Sequence, residues 1–445
     1  MFRFVRYLPL PATWLLAIAL ILCPLTSLAG ESQDEARSVL RTLVGDGGMP
    51  AFYDFDKPVP PSPGTLLRQE PLEPEYLLQN AESGKRVLYS STDGIDGVTP
   101  VVVSGAVMFP RGEPPQGGWP VVAWAHGTVG VADICAPSVN RRSLRDRDYL
   151  NAYLAAGYAI VASDYQGLGT VGPHPYMTMR PVGYSVLDNV RAALKTYPQL
   201  ANKIFLIGHS QGSQAAISAA VEALGYAPEV NVLGTVATGL AASIIEDHPA
   251  PAVAAVWPVQ KEGDYIGSAV MMMQYAGTYP AIDPHFDYRP FMSPRTAPLF
   301  ELTQTSCPFY MGNELAKYVN SHEIRIPEVF PGPLPTELRQ RLEKHMYFSF
   351  EQARISQPVF TGSGLADSLA PVANHYNFIS AMCYQGTTVD WHYYDGESHS
   401  SAVIRSQPDA LAFMEKLLNG ERVESNCANL REPGPIQTTK PGLPY

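Results

Sequence analysis

The stretch "LIGHSQGSQ" (206–214) sets Ser210 between Gly208 and Gly212, directly after an apolar run. A Gly-x-Ser-x-Gly pattern is weak alone, since at ordinary Gly and Ser usage a chain of this length meets it by chance about 0.2 times. Its flanks decide the reading. "KIFLIG" (203–208) is short, apolar and β-branched or aromatic, which predicts a buried strand, and the alanine-dense "QGSQAAISAAVEAL" (211–224) predicts a helix. A strand, a sharp turn at the serine and a helix form the context in which a serine hydroxyl is exposed at the carboxyl end of a sheet and faced by a helix amino end. A side chain at 208 or 212 would collide where strand and helix approach most closely. Ser210 is therefore a candidate nucleophile.

Working outward, strand-like runs occupy "KRVLYSST" (85–92), "TPVVVSGAVMFP" (99–110), "WPVVAWAHGT" (119–128), "GYAIVASDYQG" (157–167) and "EVNVLGTVATG" (229–239). Helical spacing returns at 144–156 and 184–197. Strands alternating with helices predict a mostly parallel sheet covered on both faces. Upstream, "MPAFYDFDKPVPPSPGTLLRQEPLEP" (49–74) reads as a proline-rich extended arm. From 241 to 350 the chain becomes rich in Pro, Met and aromatics, with helices expected at 269–280 and 337–353. Sheet order resumes with "QPVFTGSGLAD" (357–367), a helix at 370–386, "VDWHYYDGESHS" (389–400) and a last helix at 409–420, before a proline-rich tail held down by Cys427 alone. The expected divisions are core 30–240, inserted cap 241–350, core 351–420 and tail 421–445.

An acyl-transfer serine needs a base within reach and an acid that orients it, and on a sheet of this kind the chain order is Ser, Asp or Glu, then His. His399 follows the last predicted strand in a loop and is the candidate base. His209 neighbours the serine but points elsewhere on a sharp turn, and His392 lies within a strand. Asp367, at the glycine-bearing end of a strand, is the candidate acid. Asp395 is the next rival, Asp390 sits at a strand start, and Asp164 precedes the serine. Two backbone N–H groups must hold the oxyanion, one from Gln211 and one from Gly127 or Thr128 in the loop that "AWAHGT" (123–128) supplies. The interval from Ser210 to Asp367 is 157 positions, far more than one βαβ step needs, so about 100 residues lie above the catalytic rim as a cap. Its Met and aromatic content suits an adaptable apolar site.

The amino end carries Arg3 and Arg6, an apolar core at 14–23 and small residues up to Ala29, which reads as a signal peptide cut after Ala29 and predicts a secreted or periplasmic protein. An uncleaved anchor is the rival, disfavoured by a short apolar part interrupted by Pro9, Pro11 and Pro24. Loss of those two arginines takes the formal net charge from -11 to -13, which disfavours nucleic acid and anionic membrane surfaces as partners. Hydrophobic residues at 46% can fill a core despite 41 prolines, so the chain is not disordered. Cys135, Cys307, Cys383 and Cys427 remain, an even count that suggests two disulfides in an exported chain, with three pairings open. No two of them stand at ligand spacing, and the chemistry calls for neither metal nor cofactor.

The sequence resembles the secreted lipase-A-type family, the fungal secretory lipases and their bacterial relatives. "FYDFDKPVPPSPGTLLR" (52–68), "LYSSTDGIDGVTPVVVSGAVMFP" (88–110), "AHGTVGVADICAPS" (125–138), "SDYQGLG" (163–169), "GHSQGSQ" (208–214), "DSLAP" (367–371) and "GESHS" (396–400) carry the likeness over nearly the whole mature chain. The resemblance implies an α/β-hydrolase core with an inserted helical cap, hydrolysis of carboxylic esters including acylglycerols, transient contact with lipid interfaces, and disulfides Cys135–Cys307 and Cys383–Cys427. His209 and Gln211 depart from the Tyr and Gly that fungal members tend to carry there, which bears on acyl length and not on reaction class. The competing expectations are a short-chain carboxylesterase or acyltransferase with the same triad, a proline-selective peptidase, and a catalytically dead binding protein.

Overall fold

Nine strands make one sheet in the order β1-β2-β3-β5-β4-β6-β7-β8-β9. The computed structural model describes residues 48–442 apart from 245, 255–261, 286, 288–293 and 324–335. The strands are β1 (Leu66–Pro71), β2 (Ala81–Thr92), β3 (Pro100–Pro110), β4 (Trp119–Ala125), β5 (Ala159–Ser163), β6 (Leu200–His209), β7 (Val232–Thr238), β8 (Val359–Gly364) and β9 (Val389–Tyr394). Pairings among β1, β2, β3 and β5 are antiparallel, and every pairing from β5 through β4, β6, β7 and β8 to β9 is parallel.

The central strands are apolar on both faces because helices cover both faces. Val121, Ala123 and Ala125 of β4 pack with α2 (Met179–Thr196) and α3 (Gln211–Tyr226), whereas Val122 and Trp124 pack with α1 (Leu144–Ala155) and α8 (Ser401–Leu418). All five are fully buried. Between β7 and β8 lie α4 (Glu262–Gly277), α5 (Pro308–Ser321) and α6 (Thr336–Met346), and α7 (Val372–Tyr384) joins β8 to β9. The α4 and α5 helices form a small core of their own around Val270, Met273, Met311 and Leu315.

Several expectations need correction. The extended arm contains β1, an edge strand that only its pairing with β2 reveals, because "LLRQEP" has little apolar content and ends in a proline tolerated at an edge. Helix α2 starts at Met179, with Pro181 in its first turn where a missing N–H costs little, and α8 starts at Ser401 and runs through Pro408. Helix α5 was not expected, although Met311, Leu315 and Val319 recur every four residues and are buried. The α4 helix ends at Gly277 and not Pro280, and α6 ends at Met346, where the chain turns to bridge Phe348 with Ile244.

Both disulfides join the pairs the resemblance implied, Cys135–Cys307 and Cys383–Cys427, with Cα separations of 5.7 and 5.4 Å. Two disulfides fit an oxidising compartment. The tail is held by more than Cys427, since Gln437 N–H donates to Leu365 O (2.8 Å) and its side-chain amide spans Gly396 N and Asp395. The signal-peptide reading of residues 1–29 lies outside the described residues. Among the described residues no helix is long and apolar enough to cross a membrane.

Candidate active site

Parallel register brings the carboxyl ends of the central strands level. Ala125 pairs with Gly208, His209 with Thr238, Thr238 with Gly362, and Gly364 with Tyr394. The segments that leave those ends carry Gly127 and Thr128, Ser210, Gly239, Asp367 and His399, so one rim collects the candidate nucleophile, base, acid and oxyanion loop. Ser210 sits between β6 and α3 at φ 57°, ψ −124°, a conformation L residues rarely adopt. Its N–H donates to Thr238 O at 3.1 Å. A Cβ on Gly208 would strike Gly212 O, and one on Gly212 would strike Ala125 O, so the turn tolerates no side chain at either position.

His399 Nδ1 lies 2.7 Å from Asp367 Oδ2. The carboxylate accepts, so Nδ1 carries the hydrogen and the Nε2 lone pair is left for another partner. The other carboxylate oxygen accepts the N–H groups of Leu369 (2.9 Å) and Ala370 (2.8 Å), which fixes the plane of the acid. Burial alone would raise the Asp367 pKa, but the charge and hydrogen bond of His399, with His375 and the Ala370 amide, outweigh it and hold the carboxyl below the usual carboxylate range. Among the described residues the side-chain hydrogen bond of His399 goes to Asp367 and not to Ser210.

The rival groups are engaged elsewhere. Asp164 is fully buried and accepts from Ser104 Oγ (2.7 Å), Ser138 Oγ and Ser138 N (3.0 Å), which folds the loop after β4. Asp390 pairs with His392 at 2.8 Å, and Asp395 accepts from Gln437. His209 does not aim at the serine: its Nδ1 faces Thr238 O at 3.1 Å and its ring packs on that of His399 with centroids 4.5 Å apart. Gly239, at φ 56°, leaves the room this needs, because a Cβ there would lie 2.7 Å from His209 Cε1 and 2.8 Å from His399 Cε1.

Of the expected oxyanion donors, Gln211 opens α3, where the first N–H groups of a helix have no partner within it. Gly127 lies against the turn, and a Cβ there would stand 3.2 Å from His209 O and 3.6 Å from Ser210 Cβ. The half-buried Thr128 follows, its Oγ1 2.7 Å from Tyr176 OH. Two nearby residues escaped the sequence reading. Arg145, paired with Asp146 at 2.8 Å, also donates to Ser400 Oγ beside His399, and Tyr176 reaches the rim from the loop after β5. Neither carries a local signal, since each acts across a tertiary contact.

A family model described as "Secretory lipase" matches residues 145–277. Lipase A of Arthroderma benhamiae is 23% identical over 435 residues, covering 86% of this chain and 86% of that protein. A probable inactive lipase of Mycobacterium tuberculosis is 29% identical over 188 residues, 39% of this chain and 41% of its own length. Three of the curated relatives are matched over only 21%, 41% and 57% of their lengths. The crystal structure of Candida antarctica lipase A in its closed state superposes with a TM-score of 0.61 at 17% identity, over 85% of this chain and 86% of that one. The chain is thus similar to secretory lipases in part of its sequence and shares the fold of Candida antarctica lipase A.

A cavity of about 480 Å³ lies between the helices that follow β7 and the rim. Met177, Leu240, Met272, Tyr275 and Met346 line it, and it reaches Leu369 and Ala370, the residues that hold Asp367. Its wall is therefore mostly apolar, and Asp367 itself is buried behind it.

Four histidines around this rim, His126, His174, His209 and His375, are buried, and burial pushes each pKa below the ordinary 6.5, for His174 and His375 to about 4. The folded state refuses protons that the unfolded chain accepts. Stability is therefore full above pH 6.5 and falls as pH drops toward about 4, with His174 and His375 each accounting for about 3 kcal/mol over that window. Urea midpoints measured at pH 7, 6 and 5 should decline in that order. Equal midpoints would mean that these rings are not buried neutral.

Proposed function

We propose that the chain is a secreted serine ester hydrolase that cleaves carboxylic esters such as acylglycerols through an acyl-enzyme on Ser210. The observation that carries this reading is Ser210, held at a positive φ between β6 and α3, on the same rim as the His399–Asp367 pair at 2.7 Å. His399 Nε2 takes the hydroxyl proton as Ser210 Oγ attacks the ester carbonyl carbon. The Gln211 amide and that of Gly127 or Thr128 hold the oxyanion, and Asp367 stabilises the imidazolium. Collapse expels the alcohol, which takes the proton from His399. Water, deprotonated by the same base, then attacks the acyl carbon and frees the acid and Ser210 Oγ.

The helices between β7 and β8 act as a cap over the acyl site, and the apolar cavity of about 480 Å³ beneath them supports substrates with an extended hydrocarbon chain. The family described as secretory and the two disulfides support action outside the cytoplasm. Turnover of p-nitrophenyl esters from butyrate to palmitate tests the substrate class: activity is expected to persist to palmitate. Activity confined to butyrate would make the protein a short-chain carboxylesterase. The relative named a probable inactive lipase favours a second reading, a binding protein without turnover, and complete absence of hydrolysis across the series would support it.

A further inference from the structure

Tyr176 is 1% exposed and touches the oxyanion side of the site from one direction and the inserted helices from the other. Toward the site, its hydroxyl lies 2.7 Å from Thr128 Oγ1. Two residues upstream, His174 Nδ1 stands 2.9 Å from Gln166 O, a group that only accepts, so Nδ1 carries the hydrogen and Nε2 is an acceptor. Gln211 Nε2 sits 3.2 Å from that Nε2 and donates to it. One short segment therefore grips the side chains of Gln211 and Thr128, two of the three residues assigned to the oxyanion.

The same segment is gripped by the inserted helices. Thr278 Oγ1, just past α4, donates to Tyr176 O at 3.1 Å, and Tyr275 meets the Tyr176 ring edge-on with centroids 5.3 Å apart. Gln214 of α3 donates to Met177 O (3.0 Å) and to Met346 O (2.6 Å) at the end of α6. Met177 itself has φ 57°, a strained conformation for a residue of its kind, which surrounding contacts must hold in place.

We propose that Tyr176 is a positioning residue for the oxyanion site, its hydroxyl holding Thr128 in the geometry that receives the negative oxygen while its main chain ties that geometry to the cap. The inference rests on the reading of Ser210 as the nucleophile. Tyr176 touches no reacting atom; it acts through Thr128. Burial pushes its phenol pKa well above the ordinary value, so the O–H persists across the working pH range.

The test is steady-state hydrolysis of p-nitrophenyl butyrate by the mature chain and its Tyr176→Phe, Thr128→Val and double variants, with thermal midpoints measured alongside. Tyr176→Phe should lower kcat about tenfold with KM within roughly twofold, because the lost contact matters most when charge develops on the carbonyl oxygen. The double variant should be no slower than the slower single one, since both changes sever the same link. A purely structural role would lower the thermal midpoint and leave kcat at 25 °C unchanged, and that result, or multiplying losses in the double variant, would overturn the proposal. If Tyr176→Phe fails to fold, Thr128→Val tests the same link from its half-buried end, and wild-type kcat there would also overturn it. Absence of turnover in the wild-type chain would instead sink the reading of Ser210, on which the proposal depends.

Discussion

Ser210→Ala is expected to lower ester hydrolysis by at least about 10⁴-fold, leaving only the residual rate that oxyanion donors and binding supply without a nucleophile. KM should stay close to the wild-type value, because the change removes one oxygen from the turn and no part of the cavity lining. The fold should survive, since the bonds that hold the turn use only the main chain of residue 210: its N–H donates to Thr238 O, and Ser213 Oγ and N–H donate to its carbonyl. Alanine keeps all of them, and it tolerates the positive φ about as poorly as serine does. A variant that folds with wild-type activity would show that another group attacks the ester. Thermal midpoints of variant and wild type, compared beside the rates, separate lost chemistry from lost structure.

Asp367→Asn carries the second largest effect, a loss of about 10⁴-fold in kcat at neutral pH. The physical reason lies in the tautomer. The carboxylate accepts from His399 Nδ1 at 2.7 Å and from the amides of Leu369 and Ala370, and an asparagine can keep the two amide bonds while presenting an NH₂ to the imidazole. That donor favours the ring form with its hydrogen on Nε2, the form unable to accept the Ser210 proton. Asp164→Asn should behave differently. That carboxylate holds Ser104 and Ser138 and touches neither His399 nor Ser210, so its loss should appear first in stability. Measured kcat for the two asparagine variants, at a pH where both are folded, distinguishes the acid of the site from the acid of the loop.

What the sequence disclosed and what it hid follow from the range of the interactions involved. The strand–turn–helix around Ser210 is written locally, in an apolar run, two glycines and an alanine-rich stretch. The strand ends that carry Asp367 and His399 are equally local, and chain order on a parallel sheet then places them on the Ser210 rim. The strand at Leu66–Pro71 was hidden because its stability comes from pairing with Ala81–Thr92 and not from its own composition. The helix at Pro308–Ser321 was legible in the spacing of Met311, Leu315 and Val319, but the proline and aromatic content around it masked that period. Tyr176 and Arg145 could not be found from local pattern at all, since Thr128 is 48 positions from Tyr176 and Ser400 is 255 positions from Arg145. Only the folded chain brings those pairs together.

The central claim, that Ser210 is an activated nucleophile, is tested most directly by treating the mature protein with a fluorophosphonate and locating the adduct by peptide mass spectrometry. A phosphonyl group on the peptide containing Ser210, formed at neutral pH and absent from Ser210→Ala, is the predicted result. An unlabelled Ser210 in the folded wild-type protein, or an adduct on a different residue, would contradict it.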